Sequence, residues 1–184
     1  AVPRNKLVEV LPESSAEARL QKHESRQAMM LEKGRRQLAE QKLDEARQTF
    51  RLISEEYAED AELAAAVGEI FLQVNQLDDA HRYTAEAVRL APNSPGLLNK
   101  LGIVLRRMKN FERAEKVYTR AVALDPVDVS LLFNMGRVYL EWERWQQAID
   151  CAQRALAISP VFAEAARLAS YARQRLSEQV ASLW

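Results

Sequence analysis

Three side chains in this 184-residue chain bring imidazole or thiol chemistry to metal binding or nucleophilic catalysis: His23, His81 and Cys151. Their surroundings give them little to work with. No neighbouring Asp, Glu or Cys sets either histidine into a metal-ligand spacing, so both are expected at the surface. A catalytic thiol needs a histidine base, and none lies near Cys151, which is expected to be a small buried thiol. The glycines are spread along the chain rather than clustered, so no phosphate-cradling loop is present. The expectation is a non-catalytic protein with no cofactor and no metal.

The elements that carry these residues are helical by composition. Five Gly and six Pro accompany abundant Ala, Leu, Glu, Gln and Arg, and 48% of residues are apolar, enough for a continuous core. The 26 basic and 26 acidic side chains cancel, so no overall field draws the molecule to nucleic acid or an anionic membrane. No run approaches the roughly 18 apolar residues of a spanning helix, so membrane insertion is not expected either. A lone cysteine forms no internal disulfide and suits a reducing, cytoplasmic setting. The start at Ala1 leaves open a processed form or a piece of a longer protein.

One period governs the sequence. Gly34, Gly68, Gly102 and Gly136 are each 34 residues apart, and the same step links Ala46, Ala80, Ala114 and Ala148. It also links Ala87, Ala121 and Ala155, then Pro92, Pro126 and Pro160. Units at 27–60, 61–94, 95–128 and 129–162 follow, each reading as two helices. In the third, Leu98, Leu101 and Leu105 recur at helical spacing around Gly102, and a second run carries Ala114, Tyr118 and Ala121 before Pro126. Small residues at Gly102 and Ala114 let antiparallel helices approach closely.

The pattern resembles the tetratricopeptide-repeat family over residues 27 to 162, shown in the fourth unit by Leu132, Met135, Gly136, Tyr139, Ala148, Ala155 and Pro160. Thr84 and Ala152 stand where an aromatic is common. The resemblance implies an all-α, right-handed superhelical solenoid of antiparallel helix pairs. The first unit departs most, with Lys33 and Gln37 at usually apolar positions, expected to face water as a cap. Residues 163–177 read as a terminal capping helix and 178–184 as a tail, ending in Trp184. At the other end, residues 1–13 read as an extended linker or tail and 14–26 as a helix leading into the array, opened by a capping box at Ser14-Ser15-Ala16-Glu17.

In such a fold the first helix of each unit builds the inner wall. The resemblance places Asn99, Arg106, Phe133, Asn134, Arg137, Arg167 and Tyr171 there as a peptide-binding groove. Asparagine amides can pair with a peptide backbone and arginine forks can receive carboxylates, so the expected ligand is an extended or helical peptide with an acidic residue. Unit two has five acidic side chains against two basic, and unit three seven basic against four acidic. These adjoining patches could steer a dipolar protein partner or pair two copies as a homo-oligomer. The clamp with which some family members hold heat-shock chaperone tails is not rebuilt, since one register offers Leu31, Arg35, Ala66, Gly96 and Lys100. The expected function is a protein-protein interaction scaffold or adaptor. The alternatives are a secretion-type chaperone masking an apolar segment and a self-assembly module. Trp145 is expected to wedge the turn of unit four, and Trp142 to be an exposed apolar contact.

Overall fold

The computed structural model describes residues 13–182, which form helices joined by short turns, with no strand among the described residues. Most of the 1–13 tail and Trp184 lie outside that range. Residues up to Glu56 and those from Tyr57 onward form separate compact units.

The first unit holds α1 (Glu13–Ala39) and α2 (Leu43–Glu56). α1 is one unbroken helix, so the lead-in helix and the first helix of the repeat are continuous, and it starts at Glu13, placing Ser14 inside the first turn rather than at the cap. Phe50 and Ile53 are fully buried against α1 beside Ala46. Gln37 corrects the sequence expectation. It does not face water but is only 9% exposed. There it accepts a 2.7 Å hydrogen bond from the Thr49 hydroxyl and donates to Glu45. A buried amide is tolerated because its partners are supplied by α2. Lys33, in contrast, is exposed.

The second unit holds three helix pairs: α3 (Ala61–Gln73) with α4 (Leu77–Leu90), α5 (Pro95–Arg107) with α6 (Phe111–Leu124), and α7 (Val129–Glu141) with α8 (Trp145–Ile158). α9 (Ala163–Ala181) closes it. The helix starts repeat with the period: Asp60, Ser94 and Asp128 cap α3, α5 and α7, each side chain accepting from a backbone N–H of the first turn. Phe162 takes the equivalent place before α9 and provides no side-chain cap. α9 runs on to Ala181, so the expected tail is helical over most of its length. Its final turn continues because no Pro or Gly interrupts residues 163–182.

Within each helix pair the turn is the same. Gln41, Asn75, Lys109 and Glu143 have φ of 60°, 59°, 58° and 59°. The residue after each donates its N–H back to the carbonyl five positions earlier: Lys42 to Gln37, Gln76 to Phe71, Asn110 to Leu105 and Arg144 to Tyr139, at 2.8 to 2.9 Å. This is a Schellman closure, which satisfies the last carbonyls of the first helix and reverses the chain.

Packing follows the small-residue pattern. Ala80, Ala114, Ala148, Ala87, Ala121 and Ala155 are all fully buried. A Cβ on Gly102 would lie 2.5 Å from the Tyr118 ring, and one on Gly68 2.6 Å from Thr84 Cγ2. The side chain of the second helix thus occupies the volume that glycine leaves. From α5 to α9 one core runs through Leu98, Leu105, Tyr118, Leu132, Val138 and Ala169. Each such leucine contributes about 1.5–3 kcal/mol by leaving water. Trp145 is buried, as the wedge role requires. Trp142 is not an open contact: it is half-buried, stacked on Phe111 with ring centroids 5.9 Å apart, and the Arg144 guanidinium lies over its ring at 3.5 Å. His81 is likewise half-buried rather than a surface residue, its Nε2 enclosed without a hydrogen-bond partner. No helix among the described residues is long and apolar enough to cross a membrane.

Candidate functional site

In the second unit the first helices α3, α5, α7 and α9 touch in sequence order, while α4, α6 and α8 back them. Side chains on the first-helix wall therefore meet across helix boundaries at separations near the repeat length. Lys100 on α5 pairs with Glu69 on α3, and Arg107 donates to Asn75 Oδ1 at 2.9 Å. From α5 to α7, Asn134 Nδ2 donates to Asn99 Oδ1 at 3.0 Å, and Arg106 pairs with Glu141. These cross-links fix the helix stagger with polar groups rather than packing alone.

Arg106 is the unusual member. Its side chain is nearly enclosed, 5% exposed as a residue, yet it carries a full charge. Glu141 neutralises it from the neighbouring helix through Nη1, while its Nε is buried with no hydrogen-bond partner. Beneath it lies the Tyr118 phenol, which donates to the Asn99 carbonyl at 3.3 Å. Burial drives that phenol's pKa well above the usual tyrosine value, against the pull of the Arg106 and Arg137 charges.

Arg137 is half-buried on α7 with its guanidinium 5.9 Å from the Phe133 ring centroid. Among the described residues it has no carboxylate within ion-pair distance. Its burial, and next the like charge of Arg106, lower its pKa, opposed by Glu141 and Tyr118. A guanidinium in this position stays protonated and is short of negative charge. Phe133 packs edge-on to Phe162 at 5.2 Å, so its ring has one face toward Arg137 and an apolar neighbour behind.

Of the seven residues assigned from the sequence, five gather on α5 and α7: Asn99, Arg106, Phe133, Asn134 and Arg137. The other two stand on α9, which touches α7. Arg167 is exposed and pairs with Glu164 on its own helix at 3.6 Å, and Tyr171 is 50% exposed. Neither bonds to the other five. Arg106 differs from the expectation of an open groove residue, since its enclosure makes it part of the wall's framework. Sequence reasoning missed Phe162. Its signal was available in the period, because 34-residue steps lead from Asp60, Ser94 and Asp128 to it, and an apolar ring there cannot cap a helix. Among the described residues, no group of three or more His, Cys, Asp or Glu side chains is arranged to hold a metal ion.

Comparison with known proteins agrees with this architecture. Residues 95–160 match the model of the tetratricopeptide repeat. No curated protein matches the chain. Among solved structures, the MamA protein is 18% identical with a TM-score of 0.67, the match covering 82% of this chain and 82% of that one. The tetratricopeptide domain of Arabidopsis OM64 is 19% identical with a TM-score of 0.58, covering 62% of this chain and 94% of that one. The first tetratricopeptide domain of Spaghetti (RPAP3), solved bound to the HSP90 peptide SRMEEVD, is 21% identical with a TM-score of 0.60, covering 64% and 93%. At these identities the likeness establishes the fold, an all-α superhelical repeat. The tetratricopeptide repeat is therefore matched in sequence over residues 95–160, and the all-α repeat fold extends well beyond them.

Proposed function

We propose that this chain is a non-catalytic scaffold or adaptor that holds a segment of a partner protein against the α5–α7 part of its first-helix wall, with α9 as the flank. The observation that carries the reading is Arg137: a half-buried guanidinium without a carboxylate partner, laid over Phe133, beside the paired amides of Asn99 and Asn134. A cation in such a place favours an incoming anion, and the ring beside it favours an apolar side chain. The amide of Asn99 keeps both its N–H groups for a peptide backbone while its oxygen is occupied. Arg167 and Tyr171 on α9 extend the same wall and serve as outer contacts of a longer segment. The proposed location is cytoplasmic, which the lone buried thiol suits.

The bound HSP90 peptide belongs to the Spaghetti domain, and this chain does not rebuild the chaperone-tail clamp at Leu31, Ala66 and Gly96. A chaperone for apolar segments would want a less charged wall than Glu69, Lys100, Arg106 and Glu141 make.

The test is capture from an array of peptides drawn from random sequence. The wild-type chain should retain a subset, and Phe133→Ala with Arg137→Gln should lose that subset by about tenfold or more in affinity, as expected for a central anchor. Helicity should be unchanged, because neither side chain is enclosed in the core. Retention of the same peptides by the double variant would move the binding surface elsewhere.

A further inference from the structure

The charges around Arg137 do not balance. Three arginines, Arg106, Arg107 and Arg137, act on one another across α5 and α7 against a single carboxylate, Glu141. The nearby Lys100 and Glu69 cancel as a pair. Among the described residues, Arg107 is exposed and held by the neutral oxygen of Asn75, and Arg137 by nothing more than the face of Phe133. Two positive charges are thus left over, one of them half-buried. Arg106 itself is held from within the wall, with Glu141 on its Nη1 and its Nε enclosed without an acceptor, so it adds no open donor of its own.

We propose that this face is an anion site for a phosphate group carried by the bound segment, with Arg137 as its direct donor and Arg106 as the buried residue that positions the site. The inference rests on the reading that a partner segment lies on this wall, and adds what the segment carries. A single carboxylate would leave one charge of the excess uncompensated. A phosphorylated side chain brings about −1.5 to −2 at neutral pH and three acceptor oxygens, which matches both the charge and the supply of N–H groups. Guanidinium forks at different angles suit a tetrahedral oxyanion, which can accept from each along a separate edge. Arg106 contributes without large movement: Glu141 and the enclosing helices hold it, and its charge raises the potential at Arg137. Phe133 supplies the low-dielectric side of the site, where such pairing is less screened than in open water.

The experiment titrates the intact chain with sodium phosphate while following the arginine Nε–H resonances, against sodium chloride at matched ionic strength and against succinate. The expected result is a saturable shift of Arg137 with phosphate, a weaker one with succinate, and none beyond the ionic-strength effect with chloride. Arg107, whose charge acts on Arg137, should shift along with it; Arg137→Gln should remove that response at Arg107, and Arg137→Lys should retain a reduced one. Phosphate shifts that superimpose on those of chloride, or a succinate response as strong as that of phosphate, would overturn the proposal. A paired peptide array separates it from the broader reading. Capture of phosphoserine members over their unmodified twins, lost in Arg137→Gln, supports both. Equal capture of both twins overturns the phosphate site and leaves the groove, whereas capture indifferent to Phe133 and Arg137 overturns both.

Discussion

The period-34 glycines offer a graded test of how the helix pairs fit, because the same substitution meets a different obstacle in each repeat. A methyl group on Gly102 would lie 2.5 Å from Tyr118 Cε2 and Cζ. At Gly136 the nearest atom is Cys151 Cβ at 3.3 Å, followed by Leu168 Cδ1 at 3.5 Å. Carbon contacts settle at about 3.5–4.0 Å, so Gly102→Ala needs a shift of about 1 Å and Gly136→Ala only a few tenths. Tyr118 is fully buried, and its hydroxyl is tied to the Asn99 carbonyl, so the ring cannot swing aside. Overpacking of this kind costs about 1–3 kcal/mol, while replacing Gly by Ala inside a helix returns about 1 kcal/mol. Gly102→Ala should therefore lose up to about 2 kcal/mol, its overlap of about 1 Å placing it toward the upper end, and Gly136→Ala should fall between neutral and about 1 kcal/mol more stable. Urea unfolding followed by helicity reads both. A double-mutant cycle sharpens the assignment, since Gly102→Ala introduced into Tyr118→Ala should no longer destabilise. If the two glycine variants unfold within about 0.5 kcal/mol of each other, the argument that the Tyr118 ring fills the glycine's space is wrong.

Lys109→Gly and Glu143→Gly, at φ of 58° and 59°, should each stabilise by about 0.5–1 kcal/mol, because a left-handed residue with a Cβ costs about 1–2 kcal/mol and glycine returns part of that as entropy. A lower urea midpoint in either variant would contradict the turn geometry. Glu141→Gln strips Arg106 of its counter-charge; with Glu141 partly open to water the loss should be about 1–2 kcal/mol, below that of a fully buried pair. A silent substitution in thermal unfolding would mean that water already screens Arg106. Burial raises the Cys151 thiol to about 11, so about one molecule in a thousand carries the thiolate at pH 8. Labelling by a disulfide reagent should therefore wait for unfolding, and a rapid stoichiometric reaction would show the thiol to be open. Tyr139 donates to Glu115 at 2.7 Å, and burial together with that bond raises its pKa above the ordinary 10.0. Its folded value being the higher, the stability it contributes is complete below pH 10 and declines as pH rises further, when the unfolded chain releases the proton first. Tyr139→Phe should flatten that decline in pH-dependent melting; an unchanged slope would remove Tyr139 as its cause.

Much of this could be read in advance because packing restricts a few positions severely. Gly102 and Ala114 must be small since another helix occupies their space, and the restriction recurs with every pair, so it appears as a period in the letters themselves. The left-handed turn residues were invisible by contrast. Gln41, Asn75, Lys109 and Glu143 share one backbone conformation but no side-chain chemistry, and the selection acts through hydrogen bonds of the backbone. The candidate site was legible in part. Helical spacing and family likeness put Asn99, Asn134, Phe133 and Arg137 on one wall, but could not say which of its charges cancel.

The order of the helices, the small residues between them and the wall formed by the first helices were thus set by the amino-acid sequence, because each depends on contacts within a repeat or one repeat away. Only the tertiary structure decided that Gln37 is enclosed with Thr49, that Arg106 is enclosed with Glu141, and that Arg137 has no carboxylate within ion-pair distance among the described residues. The physical reason is that burial and ion pairing depend on the distances between side chains of different helices, and a difference of one ångström there separates a satisfied charge from one available to a ligand.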